Sequence, residues 1–230
     1  MTSKASIWLA KSLSYEFDDA NLLQQALTHR SSPGDNNERL EFLGDAVLDF
    51  VISEVVYRSH PNAPEGDLSK LRASLVKDTS LGKLAMGLGL GEHLILGGGE
   101  RKSGGHRRES ILADALEALF GAVYLDAGFD AAVDVVTHAF GDRLSNLPSV
   151  EDLRDPKTRL QEWLQGKGFG LPEYELVKVS GKAHRQQFDV SCRIKEGGQA
   201  STGSGTTRRN AEQEAAREML AVLGEEVADQ

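Results

Sequence analysis

The sequence predicts a multidomain chain: an all-α domain followed by a small α+β domain with the element order α-β-β-β-α. Three observations lead to this prediction. Residues 1–145 follow helical hydrophobic periodicity, residues 145–156 are polar and contain two prolines, and clean alternation of apolar and polar residues first appears in His184–Glu196. The predicted bounds are 5–128 for the first domain, with a helical extension to about 145, then a linker at 146–154 and a second domain at 155–224.

Gly, Pro and Asn separate the predicted helices of the first domain. These helices cover approximately 5–13, 19–28, 36–59, 67–74, 78–88, 109–125 and 129–144. Between two of them, Leu96–Arg108 contains five glycines and four Lys or Arg residues, so we predict a flexible loop there. The loop lacks the Walker A and dinucleotide-binding patterns, and no nucleotide cofactor is expected. Its basic residues either contact a polyanion or are simply solvated.

The second domain alternates in its central part and is helical at both ends. In its middle strand, Phe188, Val190, Cys192 and Ile194 share one face. The third strand is poor in apolar residues and is therefore predicted to be an edge strand. We predict a small sheet covered on one face by two helices, with helices at Lys157–Gln165 and Thr207–Leu223 and strands at Tyr174–Val179, His184–Glu196 and Gln199–Gly203.

Composition limits the cellular setting of the chain. The single cysteine, Cys192, rules out an intramolecular disulfide, suits a reducing compartment and is expected to be a buried structural thiol. No segment approaches the ~20 apolar residues of a membrane helix, and the first 20 residues do not resemble a secretory signal. We therefore expect a cytoplasmic protein without a membrane partner.

The net charge of −9 is unevenly distributed. Residues 1–154 have 15 basic and 23 acidic side chains, whereas residues 155–222 have 11 and 9. Divalent cations bound by the acidic part would change its local sign. The overall charge is therefore only a weak argument against a nucleic-acid partner.

The helix predicted at 36–59 places three carboxylates on one side. At about 100° per residue, Glu38, Glu41 and Asp45 fall within an arc of roughly 60°. Like charges at these spacings destabilise a helix by a few tenths of a kcal/mol per pair. A divalent cation between the carboxylates would remove this repulsion, because hard cations bind carboxylate oxygens.

A second acidic pair lies in the helix predicted at 109–125. Asp114 and Glu117 are three residues apart within an apolar sequence, and buried carboxylates need a partner. Two such helices facing each other would form an all-oxygen site suited to Mg²⁺, or Mn²⁺ as a substitute; without Cys or His, zinc fits poorly. The alternative is that each set of carboxylates lies on a solvated helix face. Two such sets, each within an apolar helix, favour the cation site.

Four motifs resemble the bacterial ribonuclease III family. Asn-Glu-Arg-Leu-Glu-Phe-Leu-Gly-Asp at 37–45 is similar to the signature of its catalytic domain. Further similar motifs are Ala-Leu-Thr-His-Arg-Ser at 26–31, Glu-Gly-Asp at 65–67 and Arg-Arg-Glu-Ser-Ile-Leu-Ala-Asp at 107–114. Residues 156–222 resemble the double-stranded-RNA-binding domain of the same family, so the resemblance covers nearly the whole chain.

This resemblance implies a helical endonuclease domain that acts as a homodimer with one acidic centre per subunit. Carried over by motif, the metal ligands would be Glu41, Asp45, Asp114 and Glu117, with Asp45 and Glu117 most important for chemistry. Glu38 and Glu65 match further acidic positions that support the site. The sequence itself does not decide whether the chain forms a dimer, because the apolar run that includes Phe42 and Phe50 fits either an interface or a monomer core.

In the second domain the resemblance implies three RNA contacts. These are Thr158, Gln161 and Glu162 in the first helix, a loop with His184, and Arg208 and Arg209 at the start of the last helix. Taken alone, a loop histidine or an Arg-Arg pair is usually just solvated. One departure weakens the pattern: Glu212 stands where the wider family of such domains often has Lys, so we expect modest, salt-sensitive affinity.

We therefore expect a metal-dependent endoribonuclease that cleaves double-stranded RNA by phosphodiester hydrolysis. The resemblance implies products with 5′-phosphate and 3′-hydroxyl ends, and processing of ribosomal-RNA precursors and some messenger RNAs. Two alternatives belong to other classes: a double-stranded-RNA-binding regulatory protein that does not cleave, and a helical structural protein with a ribosomal role. Neither would need the two acidic groups.

Overall fold

The structure is a computed structural model that describes residues 3–147, 154–182 and 186–228. The chain divides into two compact units, Met1–Leu153 and Arg154–Gln230, and the division falls inside the predicted linker. The predicted domain bounds themselves stay a prediction. Among the described helices, none is both long and apolar enough to cross a membrane.

The described part of the first unit is helical, as predicted. Its α-helices are α1 Lys4–Leu13, α2 Ala20–Ala26, α3 Glu38–Ser59, α4 Glu65–Val76, α5 Asp78–Gly87, α6 Gly98–Lys102, α7 Glu109–Ala127, α8 Phe129–Phe140 and α9 Asp142–Ser145, with 3₁₀ turns at Leu90–Glu92 and Gly105–Arg107. Helix α7 forms the centre of the core, where Leu116, Leu119 and Phe120 are fully buried.

Two predictions for this unit are wrong. The helix predicted at 129–144 is interrupted at Gly141, whose φ of 47° lies in the left-handed region, so α8 ends and the short α9 begins. The predicted flexible loop Leu96–Arg108 instead contains α6 and a 3₁₀ turn. Arg101 donates to the carbonyl of Leu94 at 3.0 Å and Arg108 pairs with Glu100 at 2.9 Å, so protein contacts order this segment.

A short parallel contact joins two distant segments of the first unit. Ile95 N–H donates to the Leu27 carbonyl at 2.8 Å, and His29 N–H donates to the Ile95 carbonyl at 3.0 Å. This isolated bridge between Thr28 and Ile95 has no counterpart in the sequence prediction. It fixes the connection between α2 and α3 just after α2 ends.

The crossing of α3 and α7 brings two backbones into direct contact. A Cβ atom on Gly44 would lie 1.8 Å from the carbonyl oxygen of Glu117, and one on Gly121 would lie 2.3 Å from that of Leu40. Helix α5 approaches α7 in the same way, because a Cβ on Gly82 would lie 2.7 Å from the Glu109 carbonyl oxygen. Glycine at these positions allows the helices to pack closely enough for side chains one turn away to converge.

The second unit has the predicted α-β-β-β-α order. It contains α10 Pro156–Gly166, β1 Glu173–Ser180, β2 Gln187–Arg193, β3 Ala200–Gly205 and α11 Arg208–Ala228. The antiparallel sheet has the order β1-β2-β3, which confirms the last strand as an edge strand. Cys192 is fully buried, as predicted, against Leu164 and Met219 of the two helices. The Asp155 side chain caps α10 by accepting from Lys157 N–H.

We predict that Gly44→Ala destabilises the protein by about 3 kcal/mol or more, because the added methyl group overlaps the α7 backbone and the helices must move apart. Urea unfolding followed by circular dichroism measures this loss. Gly66→Ala is the matched control: it lies in α4, where an added Cβ would have no atom within 4 Å, and should be neutral or stabilising by less than about 1 kcal/mol. Equal stabilities of the two variants would contradict the close-crossing argument.

Candidate metal centre and nucleic-acid interface

Three of the predicted metal ligands come together where α3 crosses α7. Carboxylate oxygens of Glu41, Asp114 and Glu117 all lie within 4.8 Å of one another, and each residue is half-buried. The Gly44–Gly121 contact explains this convergence, since Glu41 and Glu117 lie about one turn before the two glycines. Three convergent carboxylates are a donor set that suits a hard divalent cation.

The other predicted acidic residues lie outside this cluster of three. Asp45 is exposed on the next turn of α3, close enough for its charge to act on Glu117. Glu38 is exposed at the start of α3, where it pairs with Arg30 at 3.5 Å. Glu65 is exposed on α4 and accepts a hydrogen bond from Ser69 at 2.8 Å. Among the described residues, only Glu41, Asp114 and Glu117 thus form a close acidic cluster.

Burial and mutual repulsion make the cluster reluctant to ionise fully. Burial, followed by the charges of Asp45 and Glu41, raises the pKa of Glu117 to about 8. The pKa values of Glu41 and Asp114 are also raised, in each case mainly by burial. A bound cation would reverse this balance, because it favours the ionised carboxylates.

Sequence reasoning missed several groups around the cluster. The charge of Asp78, at the start of α5, contributes to the raised pKa values of both Asp114 and Glu117. The positive Arg30 opposes the shift at Glu41 and Asp114. His29 and Asn37 are buried and line a polar pocket beside the cluster. His29, Arg30 and Asn37 belong to the family-like motifs and Asp78 does not, and nothing else in the local sequence indicated these roles.

The described RNA-contact candidates of the second unit lie on its surface. Thr158, Gln161 and Glu162 are exposed and share one side of α10, and Arg208 and Arg209 are exposed in the first turn of α11. The positive end of the α11 dipole adds to the attraction of this terminus for anions. The predicted contact His184 lies outside the described residues.

Glu212 has an internal role in the second unit. Its carboxylate accepts from Lys157 Nζ at 2.6 Å and from Arg208 Nε at 2.9 Å, and its side chain is only 15% exposed. These bonds, led by the one from Lys157, lower the pKa of Glu212. Beside them, Gln213 donates to Asp155 at 2.8 Å, so two contacts join α10 to α11. The acidic residue that departs from the basic pattern therefore positions two basic side chains.

Comparison with known families agrees with both units. Residues 19–144 match the family model described as ribonuclease-III-like, and residues 156–223 match the double-stranded RNA binding motif. The chain is 55% identical over 218 residues to ribonuclease 3 from Pseudomonas fluorescens, covering 95% of each chain. It is 53% identical over 208 residues to ribonuclease 3 from Alkalilimnicola ehrlichii, covering 90% of this chain and 91% of the relative.

A solved structure extends the likeness to three dimensions. The nuclease domain of ribonuclease III from Campylobacter jejuni is 46% identical, with a TM-score of 0.60, over 64% of this chain and 100% of that domain. A helical nuclease unit followed by a unit that matches a double-stranded-RNA-binding motif defines an endoribonuclease acting on duplex RNA. The chain belongs to the ribonuclease III family.

We predict that Glu117→Gln stabilises the metal-free protein at pH 8 by roughly 2–4 kcal/mol. The raised pKa means that the folded state holds a proton that the unfolded state releases, so stability falls as pH rises from about 4.5 to about 8. The variant lacks this titration, and its advantage should disappear near pH 4. Thermal unfolding in EDTA across this range measures the effect.

Asp134→Asn, which neutralises an exposed carboxylate on α8, is the control and should leave the pH dependence unchanged. A Glu117→Gln protein that is no more stable than wild type at pH 8 would contradict the strained ionisation of the cluster.

Proposed function

We propose that the acidic cluster binds Mg²⁺, with Mn²⁺ as a substitute, and hydrolyses phosphodiester bonds of double-stranded RNA to 5′-phosphate and 3′-hydroxyl ends. The observation that carries this proposal is the convergence of Glu41, Asp114 and Glu117 within 4.8 Å. Oxygen donors alone suit these hard cations. A duplex-RNA-binding unit on the same chain supplies the matching substrate.

The chain's own residues hold the cation and place it at the backbone of the RNA. Glu41, Asp114 and Glu117 are proposed as ligands, and Asp45 as a fourth on the exposed side of the cluster. Once bound, a divalent cation activates water and stabilises charge on the phosphate. Asp45 and Glu117 are proposed to matter most for chemistry, while Glu38 and Glu65 support the site.

The second unit is proposed to hold the duplex by its shape. Thr158, Gln161 and Glu162 would lie along one minor groove, and Arg208 and Arg209 would contact phosphates across the major groove. His184 is proposed to enter the next minor groove. Such domains recognise A-form geometry and 2′-hydroxyls over about 16 base pairs with little base specificity.

A homodimer is part of the proposal, because α3 carries an exposed apolar stripe. Phe42, Phe50 and Tyr57 are 82%, 59% and 69% exposed and lie within about 80° of one another around the helix. Beside them, a groove of about 470 Å³ is lined by Phe50, Tyr57 and Leu68. A protruding ring and a groove on one surface are what a two-fold interface requires. A second structure of the Campylobacter jejuni nuclease domain is described as flexible in a region involved in dimer formation of that protein.

The proposed substrates in the cell are ribosomal-RNA precursors and some messenger RNAs, and the proposed location is the cytoplasm. The family to which the chain belongs and its duplex-RNA-binding unit support both proposals. The dimer would place two acidic centres on one duplex, so that both strands are cut.

The decisive experiment is cleavage of a long perfect RNA duplex by wild type and Glu117→Gln, with Mg²⁺ or with EDTA. Wild type should give short duplex products only with metal, and Glu117→Gln should lose at least about 100-fold in rate, because a half-buried ligand loses its charge. A gel shift in Ca²⁺ should show equal binding by both proteins.

Asp134→Asn again serves as the control and should cleave like wild type. Intact RNA that wild type binds in Mg²⁺ would refute the nuclease proposal for this chain and favour the regulatory RNA-binding alternative.

We predict that Phe42→Glu converts a dimer into a monomer, because a charge would have to be buried in an apolar interface. Analytical ultracentrifugation measures the mass. Ile7→Glu is the matched control, since Ile7 on α1 is also an exposed apolar residue, at 59%, but lies outside the stripe. A monomeric wild type, or a Phe42→Glu protein that stays dimeric, would refute this interface.

A further inference from the structure

A polar pocket of about 190 Å³ adjoins the acidic cluster. It shares two carboxylates with the cluster, and its other lining residues are mostly hydrogen-bond donors. The guanidinium of Arg30 and the amide NH₂ of Asn37 can only donate, so their presence beside the carboxylates points to a ligand that accepts hydrogen bonds. The pocket is lined by His29, Arg30, Asn37, Glu38, Glu41 and Asp114.

Asn37 contributes a buried donor that the rest of the described protein does not use. The residue is 2% exposed, and its Nδ2 has no hydrogen-bond partner among the described residues. Its backbone is fixed on both sides, because Asn37 N–H donates to the Thr28 carbonyl at 2.9 Å and Glu41 N–H donates to the Asn37 carbonyl at 2.8 Å. Because Asn37 also lines the pocket, an acceptor bound there would satisfy this buried donor.

His29 contributes a second donor, and its neighbours fix which nitrogen carries the proton. Ser31 N–H donates to His29 Nδ1 at 3.1 Å, and Ser31 Oγ lies 2.8 Å from the same nitrogen. Because Ser31 Oγ also accepts from Gly97 N–H at 3.0 Å, its own hydrogen is available for Nδ1. Nδ1 is therefore an acceptor, and the neutral ring carries its proton on Nε2.

We propose that Asn37 Nδ2 and His29 Nε2 donate hydrogen bonds to a phosphate oxygen of the RNA backbone, which makes this pocket the phosphate subsite of the proposed nuclease. The inference rests on the proposed function, since the phosphate would lie beside the cation held by Glu41 and Asp114. Arg30, whose side chain is 71% exposed, also lines the pocket and adds positive charge.

The charges of the pocket agree with this assignment. Carboxylates alone repel a phosphate, so an anion enters only where a cation and donors offset them. Two neutral donors bind an anionic oxygen without competing with the cation for the carboxylates. A buried lysine in either place would instead pair with Glu41 or Asp114 and weaken cation binding.

The test uses the full-length protein with Mn²⁺ and inorganic phosphate as probes. Electron paramagnetic resonance measures Mn²⁺ affinity, and Mn²⁺-dependent broadening of the ³¹P signal measures phosphate bound close to the ion. In Asn37→Ala and His29→Phe, phosphate affinity should fall roughly tenfold, because a hydrogen bond to a charged group is lost. Mn²⁺ affinity should change less than about threefold. His29→Gln, which keeps a donor near the Nε2 position, should retain most of the phosphate affinity.

His60→Phe is the matched control. His60 is the C-cap residue that follows α3, and its buried Nδ1 also lacks a partner in the described residues, yet it is not among those that line the pocket. Unchanged phosphate affinity in Asn37→Ala and His29→Phe would overturn the subsite. A fall in Mn²⁺ affinity as large as the fall in phosphate affinity would also overturn it, because Asn37 and His29 would then be positioning residues for the cation ligands. A wild type that binds Mn²⁺ but no phosphate also overturns it, whereas a wild type that binds no Mn²⁺ refutes the proposed function itself.

Discussion

The direct contact between the backbones of α3 and α7 is the constraint on which the first unit depends. Two helices normally stand 8–10 Å apart because side chains separate them. At Gly44 and Gly121 no side chain intervenes, and each backbone reaches the carbonyl oxygens of the other. The carboxylates on the adjacent turns are thereby brought within ligand distance of one another.

This geometry has an electrostatic cost that a cation can offset. The same packing that gathers Glu41, Asp114 and Glu117 also removes them from water, which raises the pKa of all three. Charges within the cluster raise the pKa of Glu41 and Glu117 further. The carboxylates of such a centre tend to hold protons when no cation is bound, and they release these protons when a cation binds. Cation affinity should therefore depend steeply on pH, with Glu117 as the last carboxylate to ionise.

The sequence was sufficient where spacing alone determines the outcome. The i, i+3 and i, i+4 separations placed Glu41 and Asp114 on the correct helices, and period-two alternation identified the central strand around Cys192. Prediction from the sequence failed where the structure depends on contacts between distant residues. The ordering of Leu96–Arg108 requires Glu100 to meet Arg108 and Arg101 to reach Leu94, which periodicity does not encode.

The donors of the proposed phosphate subsite, Asn37 and His29, were not predicted from the sequence for the same reason. His29 is oriented by Ser31, and Ser31 is held by Gly97, which lies 66 residues further along the chain. Glu212 is a comparable case in the second unit, because its two basic partners come from both helices that cover the sheet. In each case a local motif marks the residue, while its role depends on a tertiary contact.

The wide separation of the two halves of the acidic centre has a consequence for synthesis of the protein. Glu41 lies in α3 and Glu117 in α7, and translation delivers the N-terminal half first. A nascent chain that ends before α7 therefore carries α3 without its glycine contact and without its half-buried carboxylate partners. The acidic cluster can therefore assemble only after α7 has left the ribosome, so a chain whose synthesis stops between α3 and α7 has one half of the proposed cation site and no activity from it.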